Sequence, residues 1–223
     1  MKQVIVALDF SSFIEVRDFL NQNHEIQYVK IGMELFYSQG EKIVEFCKSK
    51  GLKVFLDLKL HDIPTTVSRA LRVIADFKVD MVNVHALGGA VMLKEAALSL
   101  KNSKTKLLAV TILTSHDQKS THSLGLLGSI ENNVKSLTQM SYHNGVNGVV
   151  CSAQDLQSMK LINNFEYVTP GIRLNSSSDD QKRVMKPKEA LNAGATYIVM
   201  GRELTRSKDS RKTISELIKH LEG

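Results

Sequence analysis

The residues Asp57-Leu58-Lys59-Leu60-His61-Asp62-Ile63-Pro64-Thr65-Thr66 attach a dense group of ionisable side chains to the end of an apolar, strand-like run. In an extended strand alternate side chains share a face, so Asp57 and Lys59 look the same way and a carboxylate neighbours an ammonium. Asp62 follows where the next helix is expected to begin. An aspartate ahead of Ile63-Pro64 makes a good N-cap, and proline is tolerated in a first helical turn, so capping stands beside any chemical role.

Other apolar runs end in the same manner. One closes on Asp9, a second carries Lys30 ahead of Gly32, a third leads into Pro170-Gly171-Ile172-Arg173, and a fourth ends in Gly201-Arg202. Charges at the ends of buried strands are costly to desolvate unless paired, so both signs at several ends point to one shared polar site. Arginine suits bidentate contact with phosphate, and glycine lets a backbone approach an anion closely. Arg173 also starts a polar loop, Leu174-Asn175-Ser176-Ser177-Ser178, leading to Gln181, which reads as a closing lid. A small phosphorylated substrate fits these residue types.

Eight short runs rich in β-branched residues position them, at 3–9, 27–32, 52–59, 80–86, 106–113, 148–153, 166–172 and 196–201. Amphipathic stretches lie between them, at 12–22, 40–50, 66–77, 133–145 and 207–223. Continuous apolar strands alternating with helices predict a parallel sheet covered on both faces, and eight units predict a (β/α)8 barrel occupying residues 1–223 as a single domain. The alternative is a doubly wound open sheet, but no G-x-G-x-x-G follows the first strand. In a barrel the C-terminal strand ends share one rim, and the loops after strands seven and eight frequently hold phosphate.

Composition narrows the function further. The 223 residues are 43% hydrophobic and 23% charged, an ordinary globular balance. No apolar run reaches the length of a membrane span, and the N-terminal segment meets Asp9 before a signal-like core forms, so the chain reads as cytoplasmic, with no membrane role. Twenty-nine basic and 23 acidic residues leave a net charge of +6, scattered without a basic run, which favours a small anion over nucleic acid. Cys47 and Cys151 lie far apart in apolar settings and read as small buried hydrophobes. His61 and His85 have no companion at metal-ligand spacing, Gly88-Gly89 reads equally as an anion nest or a turn into a helix, and no serine or cysteine has a nucleophile setting.

The segment DLKLHDIPTTV at 57–67 resembles the signature of the orotidine 5'-monophosphate decarboxylase family. VALD at 6–9, YVKIG at 28–32, LTS at 113–115, VTPGIR at 168–173, DDQKR at 179–183 and IVMGR at 198–202 are similar to further segments of that family, in order and over nearly the whole chain. The resemblance implies decarboxylation at C6 of the pyrimidine without cofactor or metal. Lys59 matches the proton donor, and Lys30, Asp57, Lys59 and Asp62 match an alternating charge array. It further implies a homodimer with shared sites, in which Asp62 and Thr66 reach the partner's substrate. Ile63 and Thr65 belong to the same substrate-binding signature; Asp9 and Lys30 would contact the ribose, Thr114 or Ser115 the pyrimidine edge, and Arg173, Gln181, Gly201 and Arg202 the phosphate. The rivals are a magnesium-dependent sugar-phosphate decarboxylase or aldolase, a Schiff-base aldolase using Lys59, and a noncatalytic nucleotide-binding module.

Overall fold

The Val- and Ile-rich runs form eight parallel strands, and the structure, a computed structural model, describes residues 1–174 and 184–222. The chain order is β1 (Val4–Ala7), α1 (Phe13–Gln22), β2 (Tyr28–Gly32), α2 (Met33–Gln39), α3 (Glu41–Ser49), β3 (Lys53–Leu60), α4 (Pro64–Asp76) and β4 (Met81–His85). A short 3₁₀ turn (Ala86–Gly88) leads into α5 (Gly89–Ser99), then β5 (Lys106–Val110), α6 (Gln118–Ser123), α7 (Ile130–His143), β6 (Gly148–Val150) and α8 (Ala153–Leu156). The chain ends with β7 (Glu166–Thr169), α9 (Pro187–Asn192), β8 (Tyr197–Met200), α10 (Arg202–Thr205) and α11 (Ser210–Glu222). Each strand pairs with the next and β8 returns to β1, with Ile5 opposite Val199, so the sheet closes into a (β/α)8 barrel and the open-sheet alternative is excluded.

Alternation divides the strands between two cores. Ile5, Ala7, Tyr28, Phe55, Met81, Leu108, Val168 and Val199 fill the barrel interior, while Val4, Val6, Val29, Ile31, Val54, Leu56, Val82 and Val84 pack outward in the larger core that includes buried helix residues. The first helix is held by a capping box in which Ser12 and Glu15 satisfy each other's backbone donors. Cys47 and Cys151 are buried thiols, as their apolar settings predict.

Two expectations change. Asp62 does not cap α4: the N-cap is Ile63, Pro64 opens the helix, and the Asp62 carboxylate accepts from the Ile63 amide at 2.7 Å. Ile63 has no side-chain oxygen to accept from the first turn, and Pro64 at the first helical position leaves no orphan N–H of its own. Strands β5 and β6 also stop short of their apolar runs, at Val110 and Val150, whereas β3 continues one residue past its own, to Leu60. Residues 33–39 and 89–99, outside the predicted amphipathic stretches, form α2 and α5; the latter is apolar on most sides and so lacks a clear stripe. Gly88 sits in the 3₁₀ turn and Gly89 adopts φ 83°, the turn into α5 that the residues allowed.

Candidate active site

The inward alternation that fills the barrel with Tyr28 and Phe55 continues upward to Lys30 and Asp57. At the C-terminal rim these side chains enter a cavity of about 350 Å³ whose lining includes Asp9, Lys30, Asp57, Lys59, Thr114, Ser115, Arg173, Gly201 and Arg202. The Asp57 carboxylate is its electrostatic centre. One oxygen lies 2.7 Å from Lys59 Nζ, the other 3.2 Å from Lys30 Nζ, and Lys30 lies 3.5 Å from Asp9. The charges therefore alternate across two neighbouring strands, β2 and β3, and the loop end of β1.

Burial by itself would push the Asp57 carboxyl up, but the Lys30 and Lys59 ammoniums and hydrogen bonds from Lys59 and Asn83 hold it below the usual carboxylate range. Burial would lower Lys30, yet Asp57 and Asp9 together raise it above the ordinary lysine value. Both groups are thus held in their charged forms at neutral pH. An ammonium so placed, beside an anion and open to the cavity, stabilises negative charge developing on a bound ligand and has a proton to give.

Lys59 reaches this position through an irregular backbone. Its φ is 52°, in the left-handed region, and the β3–β4 register jumps from Leu56↔Val82 to Leu60↔Val84. Such a conformation costs about 1–3 kcal/mol and persists where its surroundings over-determine it. Here Asn83 does so: its side-chain oxygen accepts from the Lys59 amide at 2.7 Å and its amide donates to Asp57 at 2.7 Å. Asn83 was not singled out from the sequence, although a polar residue at an inward position of the apolar run DMVNVHA was the available signal.

The opposite side of the cavity is built from the ends of β7 and β8. A Cβ on Gly201 would stand 3.1 Å from the Asp9 carboxylate, so glycine keeps this approach open. Glu203, also unremarked in the sequence despite following Arg202, lines the cavity and accepts from the Leu174 amide at 2.8 Å, tying the β7 loop to α10. Gln181 and the loop from Asn175 lie outside the described residues.

Four predicted residues are not brought into this cavity. Asp62 and Ile63, just before α4, and Thr65 and Thr66, in its first turn, are exposed and do not line it. His61 and His85 lie with ring centroids 5.5 Å apart and planes tilted by 33°, and among the described residues no group of three His, Cys, Asp or Glu side chains is arranged to hold a metal ion.

Residues 2–217 match the family described as orotidine 5'-phosphate decarboxylase / HUMPS. The chain is 45% identical to the orotidine 5'-phosphate decarboxylase of Lactococcus lactis subsp. cremoris (strain MG1363), over 92% of each chain. It is 42% identical to that of Carboxydothermus hydrogenoformans, over 100% of this chain and 97% of the relative. The crystal structure of orotidine 5'-phosphate decarboxylase from Lactobacillus acidophilus superposes with a TM-score of 0.86 at 34% identity, covering 99% of both chains. The motifs at the strand ends, the closed barrel and these full-length matches agree, and the chain belongs to the orotidine 5'-phosphate decarboxylase family.

Proposed function

We propose that the protein is a carboxy-lyase converting orotidine 5'-monophosphate to uridine 5'-monophosphate and CO2, with Lys59 as the proton donor. Family membership and full-length similarity to enzymes of that name support the reaction. The observation that carries the residue assignment is the Lys59–Asp57–Lys30 array inside the rim cavity, at 2.7 and 3.2 Å.

In this mechanism the bond between C6 and the carboxylate breaks, CO2 departs, and the electron pair stays on C6. The Lys59 ammonium stabilises that developing charge and then transfers a proton to C6, and solvent returns the proton to Lys59. Asp57 holds Lys59 and Lys30 in place and stands near the departing carboxylate. Asp9 and Lys30 serve the ribose hydroxyls, Thr114 or Ser115 the pyrimidine edge, and Arg173, Gln181, Gly201 and Arg202 the phosphate. No metal or cofactor takes part.

The working unit is a homodimer. Asp62 and Thr66 are exposed and do not line their own cavity, and Ile63 between them is 67% exposed. Val91 on α5 is 69% exposed, and Leu87 and Met33 add further apolar surface after the ends of β4 and β2. Apolar surface beside unused site residues fits a second copy that receives them. The same reading keeps the enzyme in the cytoplasm.

The test is the ultraviolet absorbance change of orotidine 5'-monophosphate with purified protein in the presence of chelator. Turnover by the native chain and its loss in Lys59→Ala is the expected result. Absence of turnover, or turnover abolished by chelator, would overturn the proposal.

A further inference from the structure

We infer that Asn83 is a positioning residue for the decarboxylation, setting the Asp57–Lys59 pair from behind the cavity without touching substrate. The inference rests on the reading of Lys59 as the proton donor. Asn83 is fully buried in β4 and does not line the cavity. Its backbone is committed elsewhere, paired with Leu108 on β5. Its side chain stands opposite the gap in the β3–β4 ladder, where β3 advances by four positions, from Leu56 to Leu60, while β4 advances by two, from Val82 to Val84.

That gap frees backbone groups of β3, and a buried N–H left without an acceptor is costly. The Asn83 side-chain oxygen takes the Lys59 N–H at 2.7 Å, which fixes the backbone of a residue held at φ 52°. Its amide nitrogen donates to Asp57 Oδ1 at 2.7 Å, the same oxygen that accepts from Lys59 Nζ at 2.7 Å. One amide therefore fixes both ends of the carboxylate–ammonium pair, and only an amide in this orientation offers an acceptor to the first and a donor to the second. Aspartate would keep the acceptor for Lys59 but set two carboxylates against each other. Leucine would keep the volume and remove both hydrogen bonds.

The experiment compares Asn83→Leu, Asn83→Asp and Lys59→Ala with the native dimer, measuring kcat and KM for orotidine 5'-monophosphate, the affinity for uridine 5'-monophosphate, and the melting temperature. A misplaced reacting group costs up to about 100-fold in rate, so kcat in Asn83→Leu is expected to fall about 10- to 100-fold while KM and product affinity stay within about threefold. In Asn83→Asp a proton shared between the two carboxylates restores the donor, so its kcat relative to native falls as pH rises and that proton is lost. The groups that set this titration are Asp57 and Lys59 on β3, Lys30 on β2, and His85 on β4, which faces the pair electrostatically. Native kcat in both variants, or loss of kcat, substrate binding and product binding in parallel, overturns the role. Native turnover in Lys59→Ala overturns the donor assignment instead, whatever Asn83 does. An inactive Lys59→Ala beside a fully active Asn83→Leu removes the positioning role alone.

Discussion

Lys59 Nζ lies 2.7 Å from Asp57 Oδ1, and the two residues sit two apart on a strand that bulges between them and the next strand's ladder. The excursion adds an even number of residues, so the parity of the strand survives it. Leu56 and Leu58 still pack outward, Leu60 packs against the same outer core, and Asp57 and Lys59 both still face the cavity. The pair is thus at once a product of strand alternation and of a broken register, and the first expected outcomes concern it.

Lys59→Ala removes the proposed proton donor and its charge. General acid catalysis is worth about 100- to 10,000-fold, so kcat is expected to drop by at least that range, followed by loss of orotidine 5'-monophosphate absorbance. Chelator treatment of the native enzyme is expected to leave the rate unchanged. A variant that still turns over within tenfold of native would place the proton source elsewhere.

Stability should bend at both ends of the pH scale, for opposite reasons. The Asp57 pKa is depressed on folding, so its contribution is present above the ordinary carboxylate value, about 4, and is lost as pH falls through the depressed one. The Lys30 pKa is raised, so its contribution is present below the ordinary lysine value, about 10, and is lost as pH climbs through the raised one. Melting temperatures of Asp57→Asn across pH are expected to show a flattened acid limb. Its alkaline limb should move to lower pH, since burial then dominates at Lys30. An Asp57→Asn curve parallel to native would show that this carboxylate is not the linked group.

Arg202→Ala tests the proposed phosphate-binding end of the cavity. A charge-assisted hydrogen bond is worth about 1.5–3 kcal/mol, which corresponds to about a 10- to 100-fold loss in kcat/KM. The loss should be specific to the phosphorylated substrate, so the preference for orotidine 5'-monophosphate over orotidine shrinks by the same factor. Equal damage to both substrates would mean that Arg202 acts on the fold rather than on phosphate.

The proposed dimer with shared sites makes a prediction about mixtures. Asp62→Ala and Lys59→Ala are each expected to be inactive alone. In a mixed dimer one site carries both defects and the other neither, so subunits exchanged in equal amounts should recover about a quarter of native activity. Additive inactivity after confirmed exchange would put Asp62 and Lys59 in the same site. Ile63→Asp is expected to shift the protein toward monomer in sedimentation and to lower activity with it, because a charge at this exposed apolar position opposes its burial.

The barrel was legible in the sequence because its periodicity is a local property. Eight β-branched runs with helices between them admit few arrangements, and the inward positions that hold Tyr28 and Phe55 lead by alternation to Lys30 and Asp57. Charge at the end of an apolar run is equally visible, since its desolvation demands a partner, and Asp9, Lys30, Asp57, Lys59, Arg173 and Arg202 do meet at one rim. What the tertiary structure alone decided is which group faces which. The Asp62 carboxylate turned out not to cap α4, because the helix starts one residue later, at Pro64. The positive φ of Lys59 and the place of Asn83 depend on a register jump between two strands, to which the residues of neither strand point by themselves. A strand's own sequence sets which side chains look inward, but the partner strand's register sets what they meet there.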